Sequence, residues 1–235
     1  MIILGQNGTG ATSYTDCWDQ NTVRTLPTTG ITIGVSSADA KDTAAGVGAR
    51  TVKLGLLDDD YVLHYETLTL AGTTEVNTTR TDIIRVLSAE VLTVGSEGDN
   101  AGIIYIYDGS DTVTAGVPQT ATKIFGRISA GDNQMLIGMF TVPAGETWRL
   151  LEFAVYQRDK SATLRYGVSQ VQCRLYGGVW LTNPMPSFTS DSPGICDFAH
   201  YPDLAMTFPE KTDVRVQANM LAATPWGCKL WIDRW

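Results

Sequence analysis

The sequence predicts an all-β protein, an antiparallel β-sandwich of jelly-roll-like kind, built as one large or two small sandwiches. Three observations carry this. Between Ala49 and Gly126, strand-like runs follow one another, each closed by Gly, Asp, Asn or Thr. No stretch there has the 3.6-residue apolar spacing of an amphipathic helix. The charged fraction is 18% and the apolar fraction 43%, with 23 glycines and many threonines filling the difference, a composition suited to strands and tight turns. All-β domains run to roughly 200–250 residues, so 235 residues fit one domain, with a subdivision near residue 130 as the alternative.

Residues 1–48 read as an N-terminal arm or edge segment. They hold the turn-prone LPTTG, the short strand ITIGV and the Ala-rich SSADAKDTAAGVGA, with little sustained periodicity. The opening MIILGQNGTG has no positive n-region and only four consecutive apolar residues, so the expectation is neither a signal peptide nor an anchor and a chain made in a cytoplasm. The segment is expected to carry contacts to neighbouring proteins, so deleting residues 1–20 should leave the sandwich folded while abolishing attachment.

The sandwich region is expected over 49–235. In ARTVKLGLL, Val52, Leu54 and Leu56 share one face while Thr51, Lys53 and Gly55 share the other. VLHYETLTL, DIIRVLSAEVLTV and AGIIYIYD continue the series, with DDDY and AGTT as turns. After Val-Pro-Ala-Gly the strand pattern resumes with Trp148, Phe153 and Val155. Residues 182–209 are interrupted by Pro184, Pro186, Pro193, Pro202 and Pro209 and read as a long loop, a kind that is usually functional or an interface element. KTDVRVQANML and CKLWIDRW are the closing strands.

No catalytic constellation, cofactor motif or metal site is expected. His64 and His200 are the only imidazoles, there is no GxSxG, and GQNGTG lacks the Lys of a phosphate-binding loop. Cys196 and His200 form a single close pair where a structural zinc site needs two. Asp58, Asp59 and Asp60, with Asp108–Asp111 or Glu97–Asn100, read as acidic turns rather than a calcium loop. The widely spaced Cys17, Cys173, Cys196 and Cys228 read as reduced thiols. A net charge of −8 opposes direct nucleic-acid or anionic-lipid binding. The aromatics in or beside loops, Trp180, Phe188, Phe198, Tyr201 and Trp226, are candidates for core, protein interface or glycan platform. Trp180, Phe188, Phe198 and Tyr201 are the interface residues expected for the Pro-rich loop.

GVGARTVKLGLLDDDYVLHYETLTLAGTTEV, VGSEGDNAGIIYIYDG, FTVPAGETWRLLEFAV and FPEKTDVRVQA resemble stretches of virion structural proteins of tailed bacteriophages. The resemblance implies jelly-roll modules that assemble as oligomers, often trimers, on a capsid or tail. It implies a noncatalytic virion component, a capsid decoration protein first and a head-fibre, neck or tail component next. Its partners would be copies of itself and the major capsid protein or neighbouring virion proteins. A carbohydrate-binding or depolymerising sandwich is the alternative from another class.

Overall fold

The computed structural model describes residues 1–20, 22–157, 165–190, 198–201, 206–220 and 225–235, without the side chains of 157, 165, 166, 184–190 and 198–201. The described chain is all-β, arranged in several small antiparallel sheets. The strands are β1 (Ile2–Asn7), β2 (Thr15–Asp16), β3 (Ile33–Ser37), β4 (Ala49–Asp58), β5 (Leu63–Thr69), β6 (Val76–Asn77) and β7 (Ile83–Val94). There follow β8 (Ile104–Asp108), β9 (Val113–Thr114), β10 (Val117–Pro118), β11 (Ile124–Ile128), β12 (Met139–Thr141) and β13 (Trp148–Gln157). The last are β14 (Arg165–Arg174), β15 (Leu181–Ser190), β16 (Phe198–Tyr201), β17 (Met206–Phe208), β18 (Asp213–Met220) and β19 (Trp226–Arg234). Helix among the described residues is limited to one 3-10 turn, Ala121–Lys123.

The chain divides into two compact units, Met1–Val23 with Leu136–Trp235, and Arg24–Met135. The sequence reading placed an optional break near residue 130 and an arm or edge segment over 1–48, and β1 is indeed the outer strand of its sheet. In the structure, residues 1–48 are instead shared out as working parts of both units. β1 pairs with β19 along its whole length, Ile2 opposite Trp231 through Asn7 opposite Trp226. All of β3 is buried and pairs with β8. Arm-like composition misled because both strands are short and Gly-containing. Cutting the chain at residue 20 strips the edge from β19, so we expect that truncation to unfold the first unit, measured as lost near-ultraviolet circular dichroism.

In the first unit one sheet runs β1-β19-β13-β16, with β17 also on β13, and the other runs β12-β18-β14-β15, with β2 also on β18. Period-2 alternation places Trp226, Cys228, Leu230 and Ile232 of β19 and Val214, Val216, Ala218 and Met220 of β18 in a single apolar cluster. Both sheets thus contribute to one core. In the second unit the sheets are β11-β8-β3-β6 and β5-β4-β7, with the hairpin β9-β10, and their core joins Val52, Leu54 and Leu56 to Ile33, Val35, Ile104 and Ile106. β4, β5, β7 and β8 lie where the alternation of the sequence predicted strands.

The Pro-rich stretch 182–209, expected as a loop, carries β15, β16 and β17. Pro184 and Pro186 are tolerated because β15 is the outer strand of its sheet, pairing with β14 alone through a register shift at Val168/Gln170. An edge strand needs hydrogen-bond donors on one side only.

Candidate functional site

The outer face of the β12-β18-β14-β15 sheet is polar, the reverse of its apolar inner face. Gln170 Nε2 donates to Gln217 Oε1 at 2.8 Å, and Gln217 Nε2 donates to Asp16 Oδ1 at 2.8 Å. Arg215 donates to Gln172 Oε1 at 2.9 Å and lies 3.7 Å from Asp16. Arg174 places Nε and a terminal nitrogen on Asp213 Oδ2 at 3.1 and 2.6 Å, and Thr141 Oγ1 donates to Asp213 Oδ1 at 2.6 Å. Burial pushes the Arg215 guanidinium below its ordinary value against the pull of Asp16. These contacts hold two arginines still at the end of the sheet where β14 turns into β15.

Trp180 is the aromatic residue they hold. Its half-buried ring lies 4.0 Å from the Arg215 guanidinium carbon and 4.8 Å from that of Arg174, a cation–π geometry. Beyond it projects the hairpin tip Leu175-Tyr176-Gly177-Gly178-Val179. Gly178 N–H donates to Leu175 O at 2.8 Å and Gly177 takes a left-handed φ of 70°, a turn that glycine favours at this position. Leu175, Tyr176, Val179 and Leu181 are 49%, 68%, 74% and 55% exposed. Turns at a solvated hairpin end are ordinarily polar, and a contiguous apolar tip marks an interaction surface. Lys211 sits 5.3 Å from the Tyr176 ring centroid and completes a basic rim. The arrangement supplies contact chemistry: apolar area on a rigid base.

Of the expected interface residues the structure brings Trp180 to this tip. Phe188, Phe198 and Tyr201 fall on β15 and β16, and their side chains lie outside the described residues, as does Cys196 altogether. Trp226, placed beside a loop by the sequence, is fully buried in the core of the first unit. Leu175, Tyr176 and Val179 were missed. The signal for them was LYGGVWL itself, a Gly-Gly turn flanked by apolar residues.

The acidic turns are committed to internal donors. Asp58 Oδ1 accepts the N–H groups of Asp60 and Val62 at 3.1 and 2.9 Å, while Oδ2 accepts from His64 Nε2 at 2.7 Å and Arg80 at 3.1 Å. Asp111 takes the N–H and hydroxyl of Thr120, and Glu97 pairs with Lys41. In the GQNGTG segment, Asn7 Oδ1 accepts from Thr9 and Gly10 N–H, an Asx turn. Among the described residues no cluster of three or more His, Cys, Asp or Glu is arranged to hold a metal ion. No helix among them is long and apolar enough to cross a membrane.

Asp58 carries a pH prediction. Burial pushes its carboxyl up, but the bonds from Val62 and His64 outweigh that and hold it below the ordinary 3.8. A carboxyl depressed on folding adds stability that is present above its unfolded value and lost as pH falls through the folded one. Acidification below pH 3.8 is therefore expected to lower the unfolding midpoint of the second unit. In Asp58→Asn the midpoint should be lower at neutral pH and flatter across the acid range. An unchanged acid slope in that variant would remove Asp58 as its source.

No family model matches the sequence, and no curated protein matches it. Among solved structures, the chain is similar to a chain of infectious bursal disease virus, Gt strain, at a TM-score of 0.29 and 8% identity, covering 98% of this chain and 67% of that one. The Gx strain gives 0.27 and 12%, covering 99% and 66%, and the VP2 subviral particle of the same virus gives 0.25 and 8%, covering 97% and 67%. Scores of this size do not amount to a shared fold. The class is defined by the chain itself: an all-β protein of two compact units, one of which presents an apolar hairpin tip on an arginine–tryptophan base.

Proposed function

We propose that this protein is a noncatalytic structural component of a virus particle of the tailed-phage kind, a decoration protein on the outside of the capsid, assembled as a homotrimer. The observation that carries the reading is the strand order of the first unit. Take β1, β12, β13, β14, β15, β16 with β17, β18 and β19 as eight successive strands. The first pairs with the eighth, the second with the seventh, the third with the sixth and the fourth with the fifth. The eighth also pairs with the third and the seventh with the fourth, giving two sheets, with the short β2 added on the seventh strand. This pairing supports reading the unit as a long hairpin rolled up on itself, the scheme of a jelly roll, an architecture used in viral capsid and lectin domains.

The tip supplies the second support. A β-rich scaffold with an exposed apolar hairpin on a stiffened base is suited to fitting a pocket on a neighbour. The resemblance to phage virion proteins over much of residues 46–160 and 208–218 agrees with it. A head-fibre, neck or tail position keeps the same logic with a different neighbour. A glycan-binding reading would draw on the same strand pairing and on Trp180. Against it, the Arg215 guanidinium, 4.0 Å from the Trp180 ring centroid, already covers one face of the ring.

Cryo-electron microscopy of a particle containing this chain tests the proposal. The expected result is density for the chain on the capsid exterior with residues 175–181 buried against a neighbouring subunit. A particle that lacks the chain when mature, or a tip facing solvent in every copy, overturns it. A mass measurement in solution tests the trimer.

A further inference from the structure

Two of the four cysteines converge in the core of the first unit, although they stand at opposite ends of the chain. Cys228 lies near the start of β19 and is fully buried, and Cys17, just after β2, is 1% exposed. Both belong to the same apolar cluster. Cys17 is fixed by its backbone, its N–H donating to Val216 O at 2.9 Å and its carbonyl accepting from Gly138 N–H at 2.8 Å. Cys228 is fixed by the register that sets it opposite Gly5. Two glycines clear the space around the sulfurs. A Cβ on Gly138 would lie 2.4 Å from Cys228 Sγ, 2.8 Å from Cys17 Cβ and 3.5 Å from Cys17 Sγ, and a Cβ on Gly5 would lie 2.8 Å from Cys17 Sγ. Both sulfurs therefore lie beside the same glycine, Gly138.

We propose that Cys17 and Cys228 are an oxidisable pair, a latent disulfide that staples the N-terminal segment to the C-terminal strand when the protein meets an oxidising environment. The site takes a small-molecule disulfide of the oxidised-glutathione class as its oxidant. One thiolate attacks a sulfur of that oxidant, releasing one small thiol and forming a mixed disulfide. The second cysteine then displaces the other small thiol. Two protein thiols lose two protons and two electrons, and one oxidant disulfide becomes two thiols. In the closed fold the step is slow, because burial raises the Cys17 thiol well above its ordinary value and water is excluded from both sulfurs. It proceeds when β1 and the segment behind it open, or as the chain folds. The sequence suggested reduced thiols throughout, and a cytoplasmic compartment keeps the pair in that state.

The bond would close a loop of roughly 210 residues, from Cys17 to Cys228. Long loops are where a cross-link constrains the unfolded chain most. The thermal midpoint of this unit should rise by on the order of 10 °C after oxidation and return with reductant.

The full-length protein is the test material. One sample stays folded and another is unfolded and refolded, each with oxidised glutathione and each against a reduced control. All are then alkylated under denaturing conditions, digested and mapped. The expected result is joint loss of alkylation at Cys17 and Cys228 and a peptide linking them, slow in the folded sample and fast in the refolding one. Four alkylatable cysteines after refolding with oxidant would overturn the pair, as would a link that uses Cys173 or Cys196. A Cys17–Cys228 link with no shift in thermal midpoint would overturn the staple. No variant is needed, so a failure of Cys17→Ala to fold leaves the result intact.

Discussion

Asp42→Ala should unfold the Arg24–Met135 unit at temperatures where the native protein holds, with a loss of roughly 3–5 kcal/mol. Asp42 is fully buried, and its carboxylate gathers four donors from three further stretches of chain. Oδ1 accepts Ala49 N–H at 2.7 Å and Ala101 N–H at 2.9 Å, and Oδ2 accepts Ser37 Oγ at 2.6 Å and Gly102 N–H at 2.9 Å. Removing it leaves three backbone donors and a hydroxyl without a partner in a dry site, where each costs its desolvation. Asn at this position keeps one oxygen for two donors but turns its amide toward the remaining N–H, so Asp42→Asn should recover part of the loss and no more. Scanning calorimetry distinguishes the outcomes. A midpoint within about 2 °C of native for Asp42→Ala would mean that water replaces the carboxylate at little cost.

Asp42 also shows where sequence reading stops. Its segment, SSADAKDTAAGVGA, has no apolar period, and so it read as part of an arm. Its order comes from one carboxylate and from glycines that make room for it: a Cβ on Gly48 would lie 2.2 Å from Asp42 Oδ1, and one on Gly102 would lie 2.8 Å from Ser37 Oγ. Such a site leaves no periodic trace. β4 was legible for the opposite reason, since its inward residues Val52, Leu54 and Leu56 repeat with strand alternation and bury fully. β15 was hidden because proline rules out a central strand but not an edge one. Which strand lies at an edge is decided by long-range pairing, as with β1 and β19 at the two ends of the chain. The candidate site was legible only through Trp180. The contacts that define it come from Arg174, Asp213 and Arg215, which read as ordinary surface charges until β14 and β18 are paired.

Tyr176→Ser combined with Val179→Ser should leave both units folded and abolish attachment to the neighbouring particle subunit. The two side chains are 68% and 74% exposed and belong to neither core cluster, so their loss costs the isolated fold little. Gly177 and the Gly178–Leu175 hydrogen bond, which shape the turn, are untouched. In the assembled state the same two side chains would be buried. At about 25 cal/mol per Å² a tyrosine and a valine contribute roughly 3–4 kcal/mol, a loss of affinity on the order of 100-fold or more. Tyr65→Ser provides the control, since Tyr65 is 61% exposed on β5, in the other unit, and its replacement matches the tyrosine part of the double variant. Particles reconstituted with each variant, with occupancy counted by cryo-electron microscopy and folding checked by circular dichroism, separate the cases. Full occupancy by the double variant would show that contact is made elsewhere. Equal loss in Tyr65→Ser would assign the effect to general surface apolarity, while loss confined to the hairpin variant locates attachment at residues 175–181.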